Sequence, residues 1–161
     1  MSKRAKAKVP RPRARAQAKP RPRPRTKPPR PKPATVRVQT VESAVPFLEV
    51  TVRERVTEDS MMPIFEQVCA EVLSHNSRRV FVDMREAEIR LTISDMAGLA
   101  KLIGGAFAGK VERLVMLMRP EDILPEKFFE PSVTSRGVPT LATSDLGDAM
   151  HFLTANLLPV R

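Results

Sequence analysis

A few side chains have types suited to chemistry: two histidines, one cysteine, an acid that ends an apolar run, and two hydroxyls beside another acid. His75 follows a helical pattern, and His151 precedes Phe152 on another. Neither stands at ligand spacing from an Asp, Glu or Cys. Cys69 falls on or beside an apolar helix face, where a thiol behaves as a small hydrophobe. As the sole cysteine it excludes an internal disulfide and a cysteine-based zinc site. The run Gly104-Gly105-Ala106-Phe107-Ala108-Gly109-Lys110 superficially resembles a phosphate loop. Val111 occupies the position of the required Ser or Thr, and the run follows a helix where a phosphate loop follows a strand. A helix C-cap and a turn are expected there.

Asp83 ends Val80-Phe81-Val82, and ligands of open α/β sheets gather beyond strand carboxyl ends. An Asp at such a position also caps the next turn. Thr92, Ser94 and Asp95 open a helix. Hydroxyls there satisfy free N–H groups as caps, and the same place favours a phosphate electrostatically. Both roles remain open. No nucleophile–base pair, metal cluster or cofactor loop occurs at usable spacing. No enzyme activity, metal or cofactor is expected.

These candidates must be positioned by a domain that starts well inside the chain. Residues 1–34 are a basic tail, expected to be disordered, and residues 35–161 form one α/β domain. The 161 residues carry a formal charge of +10, which conceals a partition. The tail holds Lys3, Arg4, Lys6, Lys8, Arg11, Arg13, Arg15, Lys19, Arg21, Arg23, Arg25, Lys27, Arg30 and Lys32, with no acid. The other 14 basic residues share the domain with all 18 acids, leaving it near −4. Nine prolines and one large aliphatic after Met1 give the tail too little apolar surface to fold. Extended polyproline II at about 3.1 Å per residue would let it reach on the order of 100 Å.

Such a tail suits a polyanion: DNA or RNA, bound without sequence preference. It has no aromatic residue for base stacking. A protein partner, an anionic membrane face or a passive spacer are the alternatives. Proline prevents the amphipathic helix of a transit peptide, and no apolar run approaches the roughly 18–20 residues of a membrane span. A cytoplasmic location is expected.

In the domain, residues 36–41 and 47–56 read as strands joined by a turn, hence a hairpin. Thr57 or Asp59 caps a helix with Met61, Phe65, Val68 and Val72 on one stripe. Residues 78–84 read as a strand buried on both faces, and 85–91 as a connection. Thr92 or Ser94 opens a helix through Ile103, closed by Gly104-Gly105. Residues 114–118 form a second buried strand. A helix from about Pro125 to Val133, a strand at 140–142 and a helix capped by Ser144 or Asp145 follow. That last helix carries Leu146, Ala149, Met150, Leu153 and Leu157 on one face. The order ββαβαβαβα implies one mixed, mostly parallel sheet with about four helices and an antiparallel N-terminal hairpin. The methionines substitute for absent Trp and Tyr as core filling.

This order resembles the STAS family, the fold of anti-sigma-factor antagonists, and specifically bacterial STAS-like proteins without its phosphorylation motif. Val80-Phe81-Val82-Asp83-Met84 is similar to the family's central strand. Leu91 to Ile103 sits where the family places its loop and following helix. Arg136-Gly137-Val138-Pro139, a strand, then Asp145 to Leu153 resembles the closing strand and helix. Regulatory STAS domains carry Asp-Ser-Ser/Thr-Gly at that second helix; here the text is Leu91-Thr92-Ile93-Ser94-Asp95-Met96-Ala97-Gly98. The resemblance implies recognition of a protein partner through Thr92, Ser94, Asp95 and Asp83, and a homodimer is a separate expectation. A lipid- or nucleotide-binding module, with the tail as a membrane or protein tether, is the alternative function.

Overall fold

The computed structural model describes residues 35–155. The basic segment and Leu157 lie outside the described residues. Strand β1 (Thr35–Val41) turns through residues 42–46 into β2 (Phe47–Thr57). The pair is antiparallel, with Val38 opposite Val50, as the alternation predicts. Helix α1 spans Glu58–Ser74, and Thr57 is its N-cap. The Thr57 backbone N–H donates to Ser60 Oγ at 2.9 Å.

Strand β3 (Arg79–Asp83) is followed by β4 (Ala87–Arg90). The stretch expected to be only a connection thus contains a strand. Helix α2 covers Ile93–Phe107 and β5 covers Arg113–Leu117. Gly104 and Gly105 do not close α2, which continues for three residues past Gly104. The turn comes at Gly109, in the left-handed region at φ 73°. A side chain on Gly104 would stand 2.6 Å from Arg136 Cβ. Glycine serves there for close approach between chain segments rather than for termination.

A 3₁₀ turn at Pro120–Asp122 leads into α3 (Ile123–Thr134), followed by β6 (Thr140–Thr143) and α4 (Leu146–Thr154). Gly137, at φ 87°, carries the chain out of α3. Asp145, rather than Ser144, caps α4: its Oδ1 accepts from the Asp148 N–H at 2.8 Å.

The sheet order is β1-β2-β3-β5-β6, with β4 beside β2. Every pairing but the first is parallel. The eleven-residue β2 serves two neighbours in succession. Leu48 to Thr51 pair with β3, and Glu54 to Thr57 with β4. Alternation divides the core. Val50, Val52, Val80, Leu114 and Met116 face one layer with Met96, Ala100, Ile103 and Phe107 of α2. Phe47, Phe81, Val115 and Leu117 face α4 through Ala149 and Leu153. Met96, Met116 and Met118 are buried core, as expected of methionines in a chain without Trp, and Met61, Met84 and Met150 are half-buried, but Met62 is exposed rather than core. Among the described residues no helix is long and apolar enough to cross a membrane.

Candidate functional site

Helix α2 starts where β4 ends. The register sets Thr57 beside Arg90, so α1 and α2 spring from neighbouring strand ends. Ala87 and Ile89 turn into the core, and Glu88 and Arg90 take the opposite side. Glu88 accepts from Arg90 at 2.8 Å and from Arg55 at 3.0 Å. These two arginines hold its carboxyl below the usual range. The ionic ladder pins β4 across its exposed side.

Thr92, at φ −82° and ψ 166°, is the N-cap of α2. Its Oγ1 accepts from the Asp95 N–H at 3.2 Å, and Asp95 Oδ2 accepts from both the Thr92 N–H and hydroxyl at 2.7 Å. Hydrogen bonds from the Thr92 backbone, then its side chain, lower the Asp95 pKa. The carboxylate therefore supplies the negative charge that a helix N-terminus favours. Ser94 and Ile93 stand exposed on this first turn, Ile93 at 73%. A doubly capped turn thus presents a large apolar side chain to solvent.

Asp83 lies elsewhere. It follows Phe81 on the alternating side of β3 that faces the α4 layer, whereas α2 packs with Val80 on the other. Its Oδ1 accepts from the Arg85 backbone at 3.1 Å and from Nε at 3.0 Å, and Oδ2 accepts from Nη2 at 2.7 Å. Burial pushes its carboxyl up; hydrogen bonds from Arg85 and the charges of Arg85 and Arg53 together outweigh that and lower the pKa. Asp83 is the clasp of the β3–β4 turn. The structure unites Thr92, Ser94 and Asp95 and separates Asp83 from them. The tail cations lie outside the described residues.

His75 ends α1, with Nδ1 2.9 Å from the Glu71 carbonyl. Cys69 is partly buried against the core. Among the described residues no group of three or more His, Cys, Asp or Glu could hold a metal ion.

The lipid- or nucleotide-binding alternative requires an apolar pocket between helices and sheet, and a small cleft lies there. Only Val72 of α1 is buried. Met61, Ile64, Phe65 and Val68 instead line an apolar cleft of about 90 Å³ between α1, α2 and the sheet. Val56, Met84, Leu91 and Leu99 also line it. Phe65 and Phe107 meet across it, ring centroids 6.3 Å apart. The stripe on α1 carried a signal for an apolar face, but not for how closely that face would seat.

No family model matches the chain, and no curated protein matches it. Solved structures do. One is an uncharacterised protein of the DUF3478 family with a SpoIIAA-like fold from Shewanella loihica PV-4. It is 14% identical, at a TM-score of 0.52, over 76% of this chain and 96% of that one. Another is an anti-sigma factor antagonist from Mycobacterium paratuberculosis. It is also 14% identical, at a TM-score of 0.51, over 75% of this chain and 96% of that one. Together with the mixed sheet, its antiparallel first pair and its four helices, these likenesses give the domain a STAS-like α/β fold.

Proposed function

We propose that the chain is a non-enzymatic regulatory or scaffolding protein of the cytoplasm. Its STAS-like domain recognises a protein partner through the start of α2, and its basic tail, residues 1–34, holds DNA or RNA without sequence preference. The observation that carries the first half is Ile93, 73% exposed on a turn fixed by the Thr92–Asp95 caps. An exposed apolar side chain on a rigid mount loses little entropy on binding and gains a full desolvation term. The solved structure described as an anti-sigma factor antagonist supports recognition as the domain's work. The tail half rests on 14 cations without an acid.

The test is a pull-down with full-length, tail-deleted and Ile93→Asp proteins, each with and without nuclease. Ile93→Asp should lose nuclease-resistant partners, and tail deletion should lose nuclease-sensitive ones. Retention of every partner by Ile93→Asp would refute the domain half. Undiminished nucleic-acid retention without residues 1–34 would refute the tail half.

The apolar cleft favours a second reading, a lipid-binding module with the tail as tether. With apolar side chains alone lining it, the cleft suits a hydrocarbon tail better than a nucleotide. A fluorescent fatty acid should bind, and Val68→Trp should exclude it. Absence of binding to the unaltered protein would remove this reading.

A further inference from the structure

The two edges of the sheet are treated differently. At β6 the N–H groups that point away from the sheet already have partners. The Thr140 N–H donates to Thr134 Oγ1 at 3.2 Å, and the Ala142 N–H to Glu130 Oε2 at 3.1 Å. Both acceptors come from α3. This edge is closed to another strand, a known defence against edge-to-edge pairing.

The opposite edge is β1, seven residues long and, among the described strands, paired with β2 alone. It is nearly twice the length of the four-residue β6. Its burial alternates: Arg37 and Gln39 are exposed, while Val36 and Val38 are half-buried against the core. An edge strand of this length normally carries a bulge, a proline, a cover or charges, and β1 has a single charge, Arg37. Between Thr35 and Val41 there is no proline, and the register with β2 runs unbroken through all seven residues.

We propose that β1 pairs with β1 of a second copy, antiparallel about a two-fold axis at Val38. Full overlap of the seven residues requires that axis. It sets Val38 opposite Val38 of the second copy and Val36 opposite Thr40 of the second copy, on the side of the half-buried valines. On the other side it sets Arg37 opposite Gln39 of the second copy. Gln39 Nε2 donates to Glu49 Oε2 at 2.6 Å within its own chain. Each Arg37, which makes no ion pair among the described residues, then faces an acid-bearing pair, twice over by symmetry. A shift that centres the axis on Arg37 would instead oppose two like charges, which is unfavourable for directly facing strand residues.

Charge and overlap length thus agree on one register and on one occupant, a second copy of this chain. The basic tail is a poor competitor for the edge, because nine prolines deprive it of ladder donors. The pairing is isologous and closes at two subunits. Antiparallel pairing also sends the two tails out from opposite ends of the shared strands, about 20 Å apart by strand rise.

The experiment is sedimentation equilibrium of nuclease-treated full-length protein from about 1 to about 300 μM, the range for a small edge interface. Hydrogen exchange is followed at both concentration limits. A monomer–dimer equilibrium is expected, with slower exchange at high concentration confined to residues 36–41. Arg37→Glu, at an exposed site, should raise the dimer dissociation constant about tenfold, through two symmetry-related repulsions of Glu49. Arg37→Glu combined with Glu49→Arg should restore it. A monomer at every concentration would overturn the proposal. So would a dimer that is indifferent to Arg37→Glu and leaves exchange at 36–41 unchanged.

Discussion

Thr92 and Asp95 satisfy one another reciprocally: the threonine oxygen takes the Asp95 N–H, and the Asp95 carboxylate takes the Thr92 N–H and hydroxyl. Three bonds between two residues fix the first turn of α2. Thr92→Ala should cost about 1 kcal/mol, the usual value of an N-cap. Thr92→Glu, a mimic of phosphorylation, should cost more, because its carboxylate would displace or repel that of Asp95. Thermal unfolding of the two variants checks the order. A phosphate on exposed Ser94 would leave both caps intact, so Ser94→Glu should lie close to the unaltered protein.

Asp83 gives a pH dependence with a definite sign. Its folded pKa lies below the ordinary 3.8, so its clasp on Arg85 contributes stability that is fully present above that value. The contribution is lost as pH falls through the depressed folded value. Asp83→Asn should therefore destabilise at pH 7 and converge on the unaltered protein in the acid range below 3.8. Urea unfolding of both proteins across pH 2.5 to 7 measures the gap; a gap of constant size would contradict this account.

Three glycines of α2 should respond oppositely to one substitution. A Cβ at Gly104 meets Arg136 Cβ at 2.6 Å, so Gly104→Ala forces α2 and the end of α3 apart. Overpacking of this kind costs about 1–3 kcal/mol. At Gly98 and Gly105 the same Cβ meets nothing within 4 Å. There, alanine should stabilise by about 0.5–1 kcal/mol through helix propensity. Denaturant midpoints of the three variants are the measurement.

Along α1, anchoring is concentrated at one end. Val72, at 1% exposure, should cost about 2 kcal/mol or more as alanine, from two buried carbons plus the cavity left behind. Val68, which lines the open cleft, should cost roughly half as much, because solvent can enter the space it vacates. Equal losses in thermal unfolding would show that α1 seats more tightly than the cleft implies.

Local pattern alone carried much of this molecule. The alternation of Val50 and Val52, the unbroken run of Val80 to Val82 and the stripe on α1 identified their elements, because side-chain period follows from backbone geometry. The antiparallel first pair and the mixed, mostly parallel sheet followed from element order. Thr92 and Asp145 were legible as caps, because a helix start requires an acceptor wherever it falls. The partition of charge between residues 1–34 and the rest is likewise a property of the sequence.

Other features required the assembled chain. Ala87 to Arg90 has the alternation of a strand, but four residues become one only because β2 runs on past β3 and offers a partner. Gly104 looked like a helix terminator until Arg136, thirty-two residues away, showed what occupies the space. Asp83 and Thr92 share an apparent site in the text, yet alternation along β3 sends Asp83 to the opposite layer. The cleft under α1, the closed edge at β6 and, among the described residues, the open edge at β1 depend on distances between elements. No local sequence period encodes such distances, because they are set by how whole layers pack.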